Sequence, residues 1–117
     1  MISLRARPAI LVAAPLALLL VSSAPVGAAG GVLAGRKKAQ QCETCHGLDG
    51  LAKIAEAPNI AGQNEQYLIK QLLAFKSGAL KSEMMSIVAQ ALSESDIEDL
   101  AAYYAAIEIK VGKIPGQ

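Results

Sequence analysis

Cys42, Cys45 and His46 stand in a single C-x-x-C-H run. Two thiols at this spacing can add to the two vinyl groups of a haem, and the histidine that follows can then bind the iron as an axial ligand. The run is a pattern for c-type haem attachment, and a covalently fixed, histidine-bound haem makes redox chemistry the first expectation. Other uses of a cysteine pair fit less well. Structural zinc takes four ligands, and with two Cys and one His in the chain carboxylates would have to complete the set. A thioredoxin-like dithiol belongs at the end of a strand in a βαβ unit, and no strand-like alternation precedes Cys42. A haem-free secreted dithiol protein is what is left if haem is absent.

His46 is the only histidine, so a second protein ligand to the iron must be of another type. Methionine is the usual alternative. Apart from the start residue the chain has only Met84 and Met85. They lie in the stretch 82–90, expected to be a loop that folds over the opposite haem face. Core filling is the commoner role of a methionine, and on these grounds either of the two could be the ligand.

The elements that must position these groups begin after an N-terminal signal. Arg5 and Arg7 precede an apolar run from Ala9 to Val21, and Val26-Gly27-Ala28 resembles a small-residue cleavage site. The run is shorter than the roughly 20 residues of a membrane span. Residues 1–28 are therefore expected to be a cleaved secretory signal peptide, and 29–117 a single periplasmic domain with no stable membrane span in the mature form. Export suits both haem attachment and disulfides. A domain this small buries a modest core and gains from a staple, a part that a covalent haem can play. The net charge of the whole chain is +1, and loss of Arg5 and Arg7 leaves the remainder slightly acidic. With no Trp and no long basic run, nucleic acid is excluded as a partner. Docking would depend on local patches. Arg36, Lys37, Lys38, Lys76 and Lys81 are the candidates, although a single lysine is most often part of a solvated helix face.

Three main helices and no sheet are expected. The first spans about 32–41 and runs into the haem motif. Gly35 inside it costs about 1 kcal/mol and points to close approach of another helix, with Tyr103 as a contact. Residues 47–62 are rich in turn formers and read as loop, with Leu51, Ile54 and Ile60 packing inward. The second helix starts at Asn64 as N-cap and stops at Gly78. Leu68, Leu72 and Phe75 form its stripe, widened by Ile69 and Leu73. The third starts at a capping box, Ser93 to Asp96, and ends near Ile107, with Ile97, Leu100, Ala101 and Tyr104 facing inward. Residues 108–117 read as an extended tail.

Several segments in order carry a family resemblance. They are Cys42-Glu43-Thr44-Cys45-His46-Gly47, Pro58-Asn59-Ile60-Ala61-Gly62-Gln63, Tyr67-Leu68-Ile69-Lys70-Gln71-Leu72, Phe75-Lys76-Ser77-Gly78, Met84-Met85, Leu92-Ser93 and Asp99-Leu100-Ala101-Ala102-Tyr103. Together they make the chain, over about 32–106, resemble a class I c-type cytochrome. It is most like the small bacterial periplasmic mono-haem carriers, the branch whose di-haem members are two such domains in tandem. The resemblance implies an all-α small cytochrome c fold around one covalently attached haem c. Cys42 and Cys45 would form the thioethers and His46 would be the proximal iron ligand. The carbonyl of Pro58 would accept a hydrogen bond from the other nitrogen of His46, which fixes ring orientation and basicity. In the family the ligating methionine stands seven residues before the leucine that precedes the last helix, which gives Met85, with Met84 as a packing residue. Two departures bear on the partner surface. Leu80 stands where many relatives have an arginine, a place Lys81 could fill, and the tail runs beyond the shared pattern.

The implied function is that of a non-catalytic, single-electron carrier between respiratory or dehydrogenase redox partners, acting as a monomer. A docking rim would lie around Ala52-Lys53 and Lys81–Ser86. The alternative is the cytochrome subunit of a redox enzyme complex, such as a flavin-containing sulfide dehydrogenase, with the tail as an interaction arm. A ligand-binding or peroxidatic haem protein would need the methionine off the iron.

Overall fold

The computed structural model describes residues 29–116, so the signal expected over 1–28 lies outside the described residues. Among the described residues five α-helices follow one another: α1 (Ala29–Lys38), α2 (Glu43–His46), α3 (Glu65–Ser77), α4 (Met85–Gln90) and α5 (Glu94–Ala105), with a 3₁₀ turn at Ala39–Gln41 between the first two. No strand occurs among the described residues. The all-α architecture is as expected.

The ends of the two longest helices are set by local chemistry. The Asn64 side chain accepts from the Tyr67 amide at 3.0 Å and satisfies a free donor at the start of α3. Gly78, at φ +79°, ends α3 in the left-handed conformation that glycine adopts without a Cβ penalty. At the start of α5 the Asp96 amide donates to Ser93 Oγ at 3.1 Å and the Ser93 amide donates back to Asp96 Oδ2 at 3.0 Å, a reciprocal capping box.

α1 crosses α5 at Gly35. A Cβ there would overlap the carbonyl oxygen of Asp99 and lie 2.7 Å from the Tyr103 Cβ, so the glycine allows the backbones to touch. Around this crossing are Ala39, Ile97, Leu100, Ala101, Tyr103 and Tyr104, all buried, joined by Leu68 of α3 and by Leu92. Lys38 forms an ion pair with Asp96 across the same junction.

Five sequence expectations are corrected. The first helix is not α-helical to Gln41. It tightens into the 3₁₀ turn as the Cys42 amide bonds the Ala39 carbonyl at 2.9 Å. The stretch 82–90 is not a loop throughout, since Met85–Gln90 is helical. Leu51 does not pack inward and is 46 % exposed, and Leu73 sits at the outer edge of α3. The third helix stops at Ala105, two residues early. Residues 108–114 carry no helix. Ile109 lies over Gly62, where a Cβ would come within 2.6 Å of the Ile109 Cγ1.

Candidate functional site

The cysteines and histidine are delivered by one turn of helix. The amides of Cys45 and His46 both donate to the Cys42 carbonyl, at 3.3 and 2.9 Å. The chain then leaves α2 through Gly47, whose φ of +72° is a conformation that other residues rarely adopt. Two hydroxyls from α5 hold this exit. Tyr104 donates to the Gly47 carbonyl at 3.1 Å and Tyr103 donates to the Leu48 carbonyl at 2.7 Å.

The loop that follows is folded back on the motif by its own backbone. The Lys53 amide donates to the Cys45 carbonyl at 2.8 Å, and the amides of Ile60 and Ala61 both donate to the Gly50 carbonyl, at 2.8 and 3.0 Å. The Ala52 amide donates to Asn59 Oδ1 at 2.8 Å. The Gly62 amide is tied to the Tyr104 carbonyl at 2.9 Å. The outcome is that His46 Nδ1 lies 3.0 Å from the Pro58 carbonyl oxygen. A carbonyl only accepts, so Nδ1 carries a proton, and in the neutral imidazole the lone pair is then on Nε2. His46 is buried, with 9 % of its surface exposed.

Two cavities meet at these residues. One, of about 300 Å³, is bordered by Cys42, Cys45, His46, Pro58, Met84 and Met85. The other, of about 180 Å³, is bordered by Leu68, Leu72, Phe75, Leu100 and Tyr104 together with His46 and Met85. Cys42, Pro58 and Val88 also line both. Met85 is half-buried, whereas Met84 is 51 % exposed and borders the larger cavity alone. Burial raises the Cys42 thiol above its ordinary pKa, as does the neighbouring Cys45, with the Tyr104 hydroxyl acting the other way. Burial likewise pushes the Tyr104 hydroxyl up, so it stays a proton donor at neutral pH.

This donor set suits a flat apolar cofactor held through two sulfurs. The walls are mostly hydrocarbon, and one imidazole lone pair and one thioether border the same space. Among the described residues no group of three or more His, Cys, Asp or Glu is arranged to hold a bare metal ion.

The sequence-predicted site residues are therefore brought together: Cys42, Cys45, His46, Pro58 and Met85 border common space. Two members of the proposed cationic patch are already engaged. Lys38 is paired with Asp96, and the Lys76 ammonium donates to the carbonyls of Gln90 and Leu92. In the docking rim, Lys53 is paired with Asp49 at 2.9 Å. Sequence reasoning missed the anchoring hydroxyls of Tyr103 and Tyr104, because their partners are backbone carbonyls with no residue signature.

The cytochrome c family model matches residues 32–107. The chain belongs to the cytochrome c family. It is similar to cytochrome c4 of Pseudomonas aeruginosa, 41% identical over 85 residues that make up 73% of this chain and 42% of that protein. It is similar also to cytochrome c-554(548) of Halomonas halodenitrificans, 40% identical over 83 residues, 68% of this chain and 100% of that protein. A third relative is the thiosulfate dehydrogenase electron acceptor of Thiomonas intermedia, 39% identical over 72 residues, 61% of this chain and 33% of that protein. The chain thus spans less than half the length of the cytochrome c4 proteins it matches. Its cofactor is one covalently attached haem c, for which Cys42 and Cys45 have the spacing. No helix among the described residues is long and apolar enough to cross a membrane.

Proposed function

We propose that this cytochrome is a single-electron carrier of the periplasm, with Cys42 and Cys45 as the thioether positions and His46 and Met85 as axial ligands. It is an electron-transfer protein and not a catalyst. The observation that carries the reading is the 3.0 Å contact between His46 Nδ1 and the Pro58 carbonyl. With Nδ1 donating to Pro58, Nε2 is the nitrogen of the neutral ring left to bind iron, at the wall of a cavity that Met85 also lines. Met85 is favoured over Met84 because it borders both cavities and is the more buried of the two.

The bound haem supplies a one-electron couple at iron. The protein's own residues do the rest. The Pro58 carbonyl orients the imidazole. A thioether ligand at Met85 would favour the reduced state of the bound group, and the apolar walls from Leu68, Leu72 and Phe75 would keep water away, both of which would raise the potential. With His46 and Met85 both holding the haem iron, the group would supply electron transfer and not substrate binding. The donor is proposed to be a dehydrogenase and the acceptor a respiratory protein. Two relatives named as electron acceptors of thiosulfate dehydrogenase support the donor class. Residues 1–28 would be the export signal and 29–117 the exported domain.

The test is the optical spectrum of protein made in a host competent for haem attachment, including the near-infrared methionine-to-ferric-haem band. The band should be present, lost in Met85→Ala and kept in Met84→Ala. Haem without the band would reject methionine ligation, and a colourless protein would reject the haem reading altogether. Native mass of the protein from its source distinguishes a free carrier from a subunit, and the intact mass of exported protein locates the cleavage.

A further inference from the structure

α4, which carries Met85, is a helix of only six residues, Met85–Gln90. Isolated helices of that length do not hold together in water, and this one has no acidic residue in its first turn and no basic residue in its last. Its support comes from outside. At the N-terminal end the Met85 amide donates to Ser82 Oγ at 3.2 Å, and the Ser82 amide donates to Ser86 Oγ at 3.0 Å. At the other end the ammonium of Lys76, from the last turn of α3, donates to the carbonyl of Gln90 at 3.2 Å and to that of Leu92 at 2.5 Å. A cation against the last carbonyls of a helix meets the negative end of its dipole, and hydrogen bonds from a charged donor are about twice as strong as neutral ones.

The Lys76 contact reaches across three elements. It ties the end of α3 to the end of α4 and to Leu92, the buried residue that enters α5. Met85 and Val88, three residues apart on α4, line both cavities, and Ala89 beside them is fully buried. The helix is therefore seated as a unit, and a shift at its C-terminal end would carry Met85 with it.

We infer that Lys76 is a positioning residue for the axial methionine: by pinning the end of α4, its ammonium sets how readily the Met85 thioether leaves the cavity wall. The inference rests on the assignment of Met85 as ligand made above.

The test uses ferric, haem-loaded protein in four forms: wild type, Lys76→Met, Lys76→Arg and Met85→Ala. Two quantities are read under native conditions, the near-infrared methionine band and the affinity for added imidazole, which competes for the methionine's position. Met85→Ala sets the limit, with no band and the tightest imidazole binding. Lys76→Met should keep its full haem content, show a weaker band and bind imidazole about tenfold tighter than wild type, or about 1.4 kcal/mol. Lys76→Arg, which keeps charge and donors, should return both readings most of the way to wild type. A merely structural lysine would lower the unfolding midpoint and leave imidazole affinity unchanged. Imidazole affinity of Lys76→Met within about twofold of wild type would therefore overturn the inference while Met85→Ala still behaves as expected. If Met85→Ala is indistinguishable from wild type, the ligand assignment fails and takes the inference with it. Should Lys76→Met not fold, Lys76→Gln replaces it under the same thresholds, because its shorter neutral amide cannot serve both carbonyls.

Discussion

Replacing Gly35 by alanine puts the α1–α5 crossing to a direct test. The added methyl would overlap the Asp99 carbonyl oxygen, with the carbonyl carbon at 2.6 Å and the Tyr103 Cβ at 2.7 Å. The first obstacle is backbone, so no rotamer change can relieve it, and the helices must move apart. Overpacking of this kind costs up to about 3 kcal/mol, and sometimes more. Alanine returns about 1 kcal/mol of helix propensity, which leaves a net loss of about 2 kcal/mol. For a domain of this size that lowers the midpoint of thermal unfolding by roughly 8–16 °C. Gly31, on the same helix, provides the control. A Cβ there would sit 3.4 Å from Asp99 Oδ1 and 3.6 Å from the Ala102 Cβ, which is ordinary contact. Gly31→Ala should therefore be neutral or stabilising by up to about 1 kcal/mol. Guanidinium unfolding of the haem-loaded proteins, followed by circular dichroism, measures both. If Gly35→Ala falls within about 0.5 kcal/mol of wild type, or the two substitutions change stability alike, the close crossing is wrong.

Two further outcomes follow from the same contacts. Hydrogen bonds from Lys38 first, and then from Ser93, hold the Asp96 carboxyl down from the ordinary 3.8 to about 2. A folded-state value below the unfolded one means that the stabilisation is present above about 3.8 and is lost as the pH falls toward about 2. Urea midpoints measured across that window should drop, and Asp96→Asn should flatten the drop; an unchanged slope would refute the role given to Asp96. Tyr104→Phe removes the donor to the Gly47 carbonyl, which keeps the Gly50 amide at 3.2 Å. The expected loss is about 1 kcal/mol in urea unfolding, and no loss would show that the hydroxyl does not hold the exit of the haem motif.

What could be read in the sequence was what local chemistry decides. Asn64, Gly78 and the Ser93–Asp96 box mark helix ends because each acts on amides or torsions within a few residues of itself. Gly35 was legible because a glycine inside a helix is costly and needs a tertiary reason. α4 was not legible. Six residues are too few to show a helical period, and the contact that closes its far end comes from Lys76, in another helix. The roles of Tyr103 and Tyr104 were hidden for a related reason: their acceptors are backbone carbonyls 55 and 57 residues away. Within the site, the C-x-x-C-H run could be read by spacing alone. Pro58 could not, since it contributes only a carbonyl, and its place came from resemblance. The choice between Met84 and Met85 also came from resemblance, and burial separates the two in the structure.

The division of the core bears on how such a protein can be tuned. Ala39, Ile97, Leu100, Ala101 and Tyr103 are no more than 7 % exposed and close on one another at the α1–α5 crossing. The same crossing supplies the hydroxyls that fix the segment after His46. On the other side, Leu72, Phe75, Val88 and Met85 are only half-buried and border the cavities. The apolar faces of α3 and α4 thus border the cofactor's space, while α5 packs on α1 and also turns Leu100 and Tyr104 toward a cavity. Changes at crossing residues that border neither cavity, such as Ala39, Ile97 and Tyr103, act on stability first, because they disturb packing between protein groups. Changes on the cavity faces of α3 and α4 act first on the polarity and solvent access around the haem, which are the levers that set its potential. The histidine side is held by the hydroxyls of the buried crossing and the methionine side by the short helix that Lys76 contacts, so on this reading of the ligands the methionine side is where the electron carrier is adjustable.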